Sequence, residues 1–352
     1  MTASREPSGD TNGAATGAIS RKLRILVMVL IGLCVLVTAA WFAGARLYTA
    51  ALDQGRSALE RDAITVACTD ERLVGFPARF EVRCAELSVS QANSSSLSGG
   101  ALTTVAPAWN PLLTIVEWAG PFAVRTDGGV VSDIETDLLR ASVRVDTAGA
   151  LQRLSAVLQS FAVRMDGAPL AIAGGDGLEV HMRPADGEAS DAADIEASAL
   201  VFGLSSPFLI AAETVDFSIG AVLDDLALAR GVDALSILTD WVSRSGRFES
   251  AALRLRLDDH AINLDGMGQI DPSGVLDFTG TIATNDVGAL VELFGVTDAG
   301  TVAAISAGAG LFGRQTTIGE DAATELPLTI ESGSISVGPA RVGTLPPLLP
   351  PG

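Results

Sequence analysis

The stretch "AINLDGMGQIDPSGVLDFTGTIAT" (residues 261–284) decides the fold, because strand-like patterns flank a tight-turn sequence. Apolar residues alternate with polar residues or glycine on both sides, which is the period of a β-strand that buries one face. The central "DPSG" (271–274) has proline second and glycine fourth, as a β-turn prefers. The stretch therefore predicts two antiparallel strands joined as a hairpin.

Similar patterns recur through most of the chain beyond residue 62. They alternate or carry β-branched residues, and most end at Gly, Asp or Pro. These runs are "RFEVRCAELSVS" (79–90), "RASVRVD" (140–146), "DGLEVHMRP" (176–184), "AETVDFSIG" (212–220), "AALRLRLDD" (251–259) and "LPLTIESGSISVGPARVG" (326–343). Hydrophobic residues make up 48% of the chain and aromatic residues 5%, so aliphatic side chains must build the core. We expect a mainly β fold (β-rich α+β), with a curved, largely antiparallel sheet and a few packed helices.

Two segments interrupt the strand pattern with the spacing of an amphipathic helix. "NDVGALVELFG" (285–295) and "GVDALSILTDWVSRSG" (231–246) repeat apolar residues every three or four positions and end at glycine. Each is predicted to lie on the sheet. "LQRLSAVLQSFAVRM" (151–165) fits a helix in its first half and a strand in its second, so both assignments stay open.

The N-terminal part of the chain carries a candidate membrane segment, "RKLRILVMVLIGLCVLVTAAWFAGARLY" (21–48). The 21 residues from Ile25 to Ala45 contain no charge, and about 20 helical residues cross a bilayer. Basic residues precede the run, which predicts a cytoplasmic N-terminus and an exported C-terminal body. "AGA" (43–45) satisfies the rule for signal-peptide cleavage, although the apolar run exceeds the usual ~7–15 residues. An uncleaved anchor is favoured, and cleavage after about Ala45 remains the alternative.

These features divide the chain into four parts. We expect a cytoplasmic polar and basic tail (1–24), a transmembrane signal anchor (25–45), a helical stalk (46–62) and an exported, periplasmic β-rich domain (63–352). The formal charge is -19, and because the tail carries +2 the remainder carries -21. Such an acidic body is repelled by phosphate backbones, so no nucleic-acid partner is predicted.

The three cysteines fit this topology. Cys34 lies inside the apolar run, whereas Cys68 and Cys84 form an even pair in the exported part. Each of the two shares the parity of its strand's apolar residues, and a fold-back near residues 75–77 would bring the thiols together. Export to an oxidising compartment favours a disulfide, which could stabilise by ~3 kcal/mol for a loop of this length. Two buried free cysteines remain the alternative.

Residues for catalysis or metal binding do not form a recognisable pattern. His181 and His260 lie in separate strand-like segments, and the aspartates beside His260 fit turn chemistry. No zinc-protease, nucleotide-loop or nucleophile-elbow motif occurs, and "GGDG" (174–177) is predicted as a hairpin turn. We therefore predict no catalytic residue, metal or cofactor, and a protein that is not an enzyme.

Several short motifs occur in a characteristic order after the anchor. They are "GFPARFEVRC", "APAWNPLLTIVEWAGP", "GQIDPSGVLDFTGTI" and "ESGSISVGPARVGTLPPL". In this order the chain resembles a bacterial envelope family catalogued as domain of unknown function 2125 (DUF2125), from about residue 45 to the C-terminus. The family-like marks are Gly75, Phe76, Pro77, Trp109, Asn110, Pro111, Gly338 and Pro339. The resemblance implies no catalytic residues.

The run from residue 254 to 294 is also similar to AsmA-like envelope proteins. That resemblance implies a curved antiparallel sheet whose apolar groove holds lipid acyl chains. The leading hypothesis is an anchored periplasmic protein that binds or moves lipid or other hydrophobic envelope molecules. The alternative is a structural or assembly partner of other envelope proteins with a fully packed core.

Overall fold

A computed structural model describes residues 13–61, 63–91, 95–125, 131–166, 173–185, 192–204, 212–224, 241–293 and 298–348. Twenty-one antiparallel strands in these ranges are connected by hydrogen bonds into one sheet. The helices are α1 (Gly13–Arg61), α2 (Val287–Leu293) and α3 (Ala299–Phe312), with a short helical stretch at 241–243. The predicted mainly β, antiparallel fold class is confirmed.

The first ten strands build the part of the sheet that follows α1. They are β1 (Ile64–Thr69), β2 (Arg72–Val74), β3 (Arg79–Cys84), β4 (Glu86–Gln91), β5 (Ser96–Gly99), β6 (Leu102–Pro107), β7 (Leu113–Ala119), β8 (Phe122–Arg125), β9 (Val131–Glu135) and β10 (Leu138–Val145). They belong to two arms that meet at β11. One arm has the order β10-β7-β6-β3-β2 and the other β9-β8-β5-β4-β1.

The remaining strands form a regular meander. They are β11 (Leu151–Asp166), β12 (Gly174–Pro184), β13 (Ala193–Leu204), β14 (Ala212–Leu223), β15 (Gly246–Leu257), β16 (His260–Ile270), β17 (Leu276–Thr284), β18 (Arg314–Ile318), β19 (Asp321–Glu331), β20 (Ser334–Val337) and β21 (Ala340–Thr344). Each strand from β11 to β16 pairs with the next, β17 pairs with β19, β18 and β20 both pair with β19, and β21 pairs with β20.

The fork at β11 arises because this strand is 16 residues long. Its residues 151–158 pair with β10 and its residues 162–166 pair with β9, both along one edge, while β12 occupies the other edge. The two arms face each other, and Leu87, Trp118, Phe122 and Leu158 form a buried cluster between them. The arms therefore make a small two-layered body at one end of the sheet.

A larger core lies on one face of the meander. Phe278, Ile282 and Leu328 of the sheet are buried against Leu290 of α2 and Ala309 of α3. Alternation places charged and polar residues on the opposite face. These helices cover the apolar face near β16, β17 and β19, so the sheet and the helices share one core there.

Several local predictions can be compared with these elements. The turn at 271–274 is confirmed, since the Gly274 N–H donates to the Asp271 carbonyl (2.9 Å) between β16 and β17. The ambiguous segment 151–165 is strand throughout. "GGDG" (174–177) is not a hairpin turn: it lies within β12 at a register shift, because β12 pairs on both sides there. Residues 231–240 and 294–295 lie outside the described residues.

Helix α1 is continuous from Gly13 to Arg61. In the described part of the chain it is the one helix long and apolar enough to cross a membrane, over residues 21–61. The division of the chain at residues 24, 45 and 62 stays a prediction, and residues 1–12 and 62 are outside the described ranges.

Candidate functional site

The predicted disulfide is present, and it joins the two arms. Cys68 of β1 and Cys84 of β3 are bonded, with their Cα atoms 5.4 Å apart. The fold-back near residues 75–77 also occurs, as the turn of a β2–β3 hairpin. Cys68, however, lies outside this hairpin, because β1 pairs with β4 in the opposite arm. The bond is thus a tie between two layers and not a link within one hairpin.

Two of the family-like marks lie side by side in space. Gly75 adopts φ +103°, a conformation that favours glycine, and its carbonyl accepts N–H bonds from Ala78 (3.2 Å) and Arg79 (3.1 Å). The next turn of the same arm carries Trp109, and the Ala108 N–H donates to the Ala78 carbonyl (2.9 Å). The β3–β6 register therefore brings residues 75–77 and 109–111 to one end of the arm.

These turns expose large aromatic side chains. Phe76 is 53% exposed and Trp109 is 78% exposed, and each lies in a turn just after its strand ends. Asn110 and Pro111 continue the second turn, with the Asn110 N–H donating to the Pro107 carbonyl (3.0 Å). Two exposed aromatic rings on adjacent turns indicate a contact surface.

Helix α1 docks directly behind the same turns. The Trp41 indole N–H donates to the Arg79 carbonyl (3.0 Å), and its ring lies 5.5 Å from Phe76 and 5.9 Å from Phe80. Tyr48 stacks on the other side of Phe80, 5.7 Å between centroids. Gly44 lies between them, where an added Cβ would come within 2.7 Å of the Phe80 ring. The helix and the first hairpin therefore form one packed unit.

A buried carboxylate lies on the opposite side of β3. Glu81 is 2% exposed and is bracketed by the guanidinium groups of Arg79 and Arg83. A buried charge needs such partners, because an unpaired one is expensive to desolvate. The two arginine side chains keep half or more of their surface in solvent. The carboxylate is therefore buried, while the positive charges that pair with it lie at the protein surface.

The third family-like mark lies elsewhere. Gly338 and Pro339 form the turn between β20 and β21, at the far end of the sheet from the arms. Pro339 borders a cleft of about 470 Å³ between α3 and the sheet, lined also by Ile305, Leu326 and Val337. The structure thus brings together the marks at 75–77 and 109–111, but not the mark at 338–339.

The apolar face of the meander is the largest candidate for a hydrophobic ligand. One cross-strand row consists of Val180, Ala197, Ile219, Leu253, Leu264, Ile282 and Leu326. Ile282 and Leu326 are each 2% exposed, whereas Ile219 is 44% exposed. The row is therefore buried at its β17 and β19 end, and it becomes solvent-exposed at β14, towards β12.

The polar face carries one arrangement that the sequence analysis missed. His181 Nδ1 lies 3.0 Å from Ser155 Oγ, and His181 Nε2 lies 3.3 Å from Glu179 Oε2. Only the β11–β12 register pairs Ser155 with His181, and no local motif encodes it. Both strands are paired on each side there, so the adjoining backbone N–H groups are engaged in the sheet. His260 lies 3.6 Å from Asp286, and within the described ranges no three His, Cys, Asp or Glu side chains converge as a metal site.

Shifted carboxyl pKa values occur at turns and a helix cap. The Ser273 hydroxyl and the Val275 N–H lower the pKa of Asp271, and the Thr301 hydroxyl and N–H lower the pKa of Asp298 at the start of α3. Thr214 lowers the pKa of Asp258 in the same way. These shifts arise from hydrogen bonds that close local structure, so they indicate structural carboxylates.

The architecture defines a β-rich protein with one N-terminal helix long and apolar enough to cross a membrane. The chain belongs to the family described as "Uncharacterized protein conserved in bacteria (DUF2125)", whose model matches residues 41–346. No curated protein and no solved structure matches the chain. The family match begins at Trp41, the residue that joins α1 to the first hairpin.

Proposed function

We propose that α1 anchors the protein in the bacterial inner membrane, with the β-rich body in the periplasm, and that this body binds or helps move hydrophobic envelope molecules. The basic residues before the apolar run support this orientation, because such residues stay in the cytoplasm. The Cys68–Cys84 disulfide supports it as well, since such bonds persist in oxidising compartments. The role proposed is binding and not catalysis.

The observation that carries the proposal is the open end of the apolar row. Ile219 exposes 44% of its surface in the middle of a long strand, where Phe217 and Leu253 continue the apolar area. Exposed contiguous apolar surface in a soluble body marks an interaction site. A lipid acyl chain matches it, because it offers only apolar contacts and no hydrogen bonds.

A role as an assembly partner of other envelope proteins is the second candidate. It is favoured by the end of α3, where Leu311 is 82% exposed and Phe312 is 66% exposed. Adjacent exposed apolar side chains on a helix are common in protein interfaces. In this reading, the packed core under α2 and α3 serves as a rigid platform.

A photo-crosslinking amino acid at position 219 separates the two candidates in living cells. The matched control carries the same amino acid at Ser218, on the opposite face of the same strand. Lipid adducts at position 219 but not at 218 are the expected result. Protein adducts at 219 would support the assembly role instead, and equal labelling at both positions would contradict a lipid site on the apolar face.

A further inference from the structure

We infer that the two turns carrying Phe76 and Trp109 insert into the outer interfacial layer of the bilayer that α1 crosses, and hold the β-body against that bilayer. These turns, residues 75–78 and 108–111, are called the membrane-facing turns below. The inference rests on the proposed anchor and adds a second membrane contact, made by the folded body itself.

Depth along α1 is the first argument. An α-helix rises 1.5 Å per residue, so Trp41 lies about 25 Å beyond Arg24 and Arg46 about 33 Å beyond it. The hydrocarbon core of a bilayer is about 30 Å thick. If Arg24 marks the cytoplasmic boundary, Trp41 lies just below the outer boundary and Arg46 just above it.

The contacts of Trp41 set the depth of the body. Its ring lies 5.5 Å from Phe76, and its indole N–H donates to the Arg79 carbonyl (3.0 Å). Because α1 and the hairpin are packed together through Phe80, the turn at 75–78 cannot withdraw from the level of Trp41 without breaking that packing. Phe76 is therefore held at the interface by the fold.

The chemistry of the turns matches that layer. Tryptophan concentrates at membrane interfaces because its ring is apolar and its N–H is polar, and phenylalanine is among the apolar residues that interfacial elements bury beside it. Trp109 is 78% exposed and Phe76 53% exposed, and the Ala108–Ala78 hydrogen bond (2.9 Å) ties their turns together. Water is a poor environment for both rings, and a bilayer interface would cover both at once.

The charge distribution along the chain allows the membrane-facing turns to approach the bilayer surface. Residues 25–83 carry six arginines and six acidic residues, so they are neutral, whereas residues 84–352 carry the excess of -21. The second turn lies within residues 87–116, which carry no charge, so anionic lipid repels neither turn even though it repels the rest of the acidic body. Arg79 keeps 52% of its side chain exposed beside the turn, where it can reach lipid phosphates.

Site-specific fluorescence on the full chain in lipid nanodiscs tests the inference. An environment-sensitive dye is attached to Ala78→Cys in a Cys34→Ser background, and quenching is measured with lipids spin-labelled near the headgroup. Asp137→Cys is the matched control, since it lies at the opposite end of β7 and β10, about 20 Å away along the strands. Several-fold stronger quenching at position 78 than at position 137 is expected; equal, weak quenching would overturn the inference.

The aromatic rings are tested with the same reporter. Phe76→Ser with Trp109→Ser should clearly reduce quenching of the position 78 dye but leave it above the level at 137, because serine contributes no interfacial affinity while the Phe80 packing still holds the turn near Trp41. Leu311→Ser with Phe312→Ser, which removes equally exposed apolar groups from α3, should leave it unchanged. Full quenching in the first variant would show that α1 alone sets the position, which contradicts the role of the turns.

The native Cys34 separates this inference from the anchor on which it rests. A dye on Cys34 of the wild-type chain should be quenched by lipids labelled deep in the acyl region. If Cys34 is quenched while position 78 stays in water, the membrane-facing turns are wrong and the anchor stands. If Cys34 is not quenched, the proposed anchor itself fails, and with it the inference.

Discussion

Asp258 closes the turn between β15 and β16 and binds the neighbouring strand. Its Oδ1 accepts hydrogen bonds from the Thr214 N–H (2.9 Å) and the Thr214 hydroxyl (3.1 Å). The backbone bond from Thr214 is the main cause that lowers the pKa of Asp258 below 3.8. These bonds favour the carboxylate in the folded state, so its contribution is present above the unfolded pKa of ~3.9 and is lost as the pH falls through the lower folded pKa.

Asp258→Asn should therefore destabilise the protein near neutral pH and lose its effect in acid. Urea unfolding of the detergent-solubilised chain should show a difference from wild type at pH 6 that shrinks steadily below about pH 4. Thr214→Val, which removes one of the donors, should give a smaller effect of the same sign. A difference that is constant with pH would contradict the assigned hydrogen bonds.

Glu81 is a second residue whose environment makes a specific prediction. Glu81→Gln removes the buried charge that Arg79 and Arg83 compensate, and should lower the free energy of unfolding by about 1–3 kcal/mol. Glu117→Gln is the matched control on β7 of the same arm, because its pair with Arg140 (3.4 Å) is exposed at both ends. The control should cost less than about 1 kcal/mol by the same urea titration, and equal effects would contradict the special role of Glu81.

At the scale of elements, two of the glycines of α1, Gly44 and Gly55, lie in different environments. A Cβ added at Gly44 would lie 2.7 Å from the Phe80 ring, whereas a Cβ added at Gly55 would meet no described residue outside its own helix turn within 4 Å. The Phe80 ring is fixed between Trp41 and Tyr48, so it cannot easily move aside.

Gly44→Ala should therefore destabilise the packing of α1 on the hairpin by about 1–2 kcal/mol, despite the higher helix propensity of alanine. Gly55→Ala should instead stabilise the helix by up to about 1 kcal/mol. Unfolding followed by tryptophan fluorescence, together with protease cleavage between α1 and β1, measures both. Stabilisation by both substitutions would contradict the close contact.

Strand-like elements could be predicted because alternation is a local signal. The hairpin at 261–284 and the helix at 287–293 follow directly from spacing and turn residues. Helix α3 could not be predicted, since "AGTVAAISAGAGLF" is apolar on nearly every side and shows no period. The fork at β11 depends on two different partners for one strand, and pairing partners are not written in either half of that segment.

At the scale of the whole molecule, the candidate sites arise from register. The motifs at 75–77 and 109–111 are more than 30 residues apart and become neighbours only because β3 pairs with β6. Parity placed Cys68 and Cys84 on apolar faces, yet it could not show that they belong to opposite arms. The sequence pattern therefore predicts which face of each strand is apolar. Which of these faces contact each other depends on long-range strand pairing, which the pattern does not encode.

The disulfide is the covalent tie between the arms, and its loss should loosen the two-layered body. Cys68→Ala with Cys84→Ala should lower the free energy of unfolding by ~3 kcal/mol, because the bond closes a loop with a separation of 16 residues. Among the described strands β1 pairs with β4 alone, so without the bond it should also become the first strand to be cut by protease. Cys34→Ala, in the apolar part of α1, is the control and should leave both measurements unchanged. Wild-type protein treated with a reductant should behave like the double variant. If reduction changes neither the stability nor the cleavage at β1, the disulfide does not stabilise the two-layered body. The arms are then held together by their buried cluster of Leu87, Trp118, Phe122 and Leu158 alone.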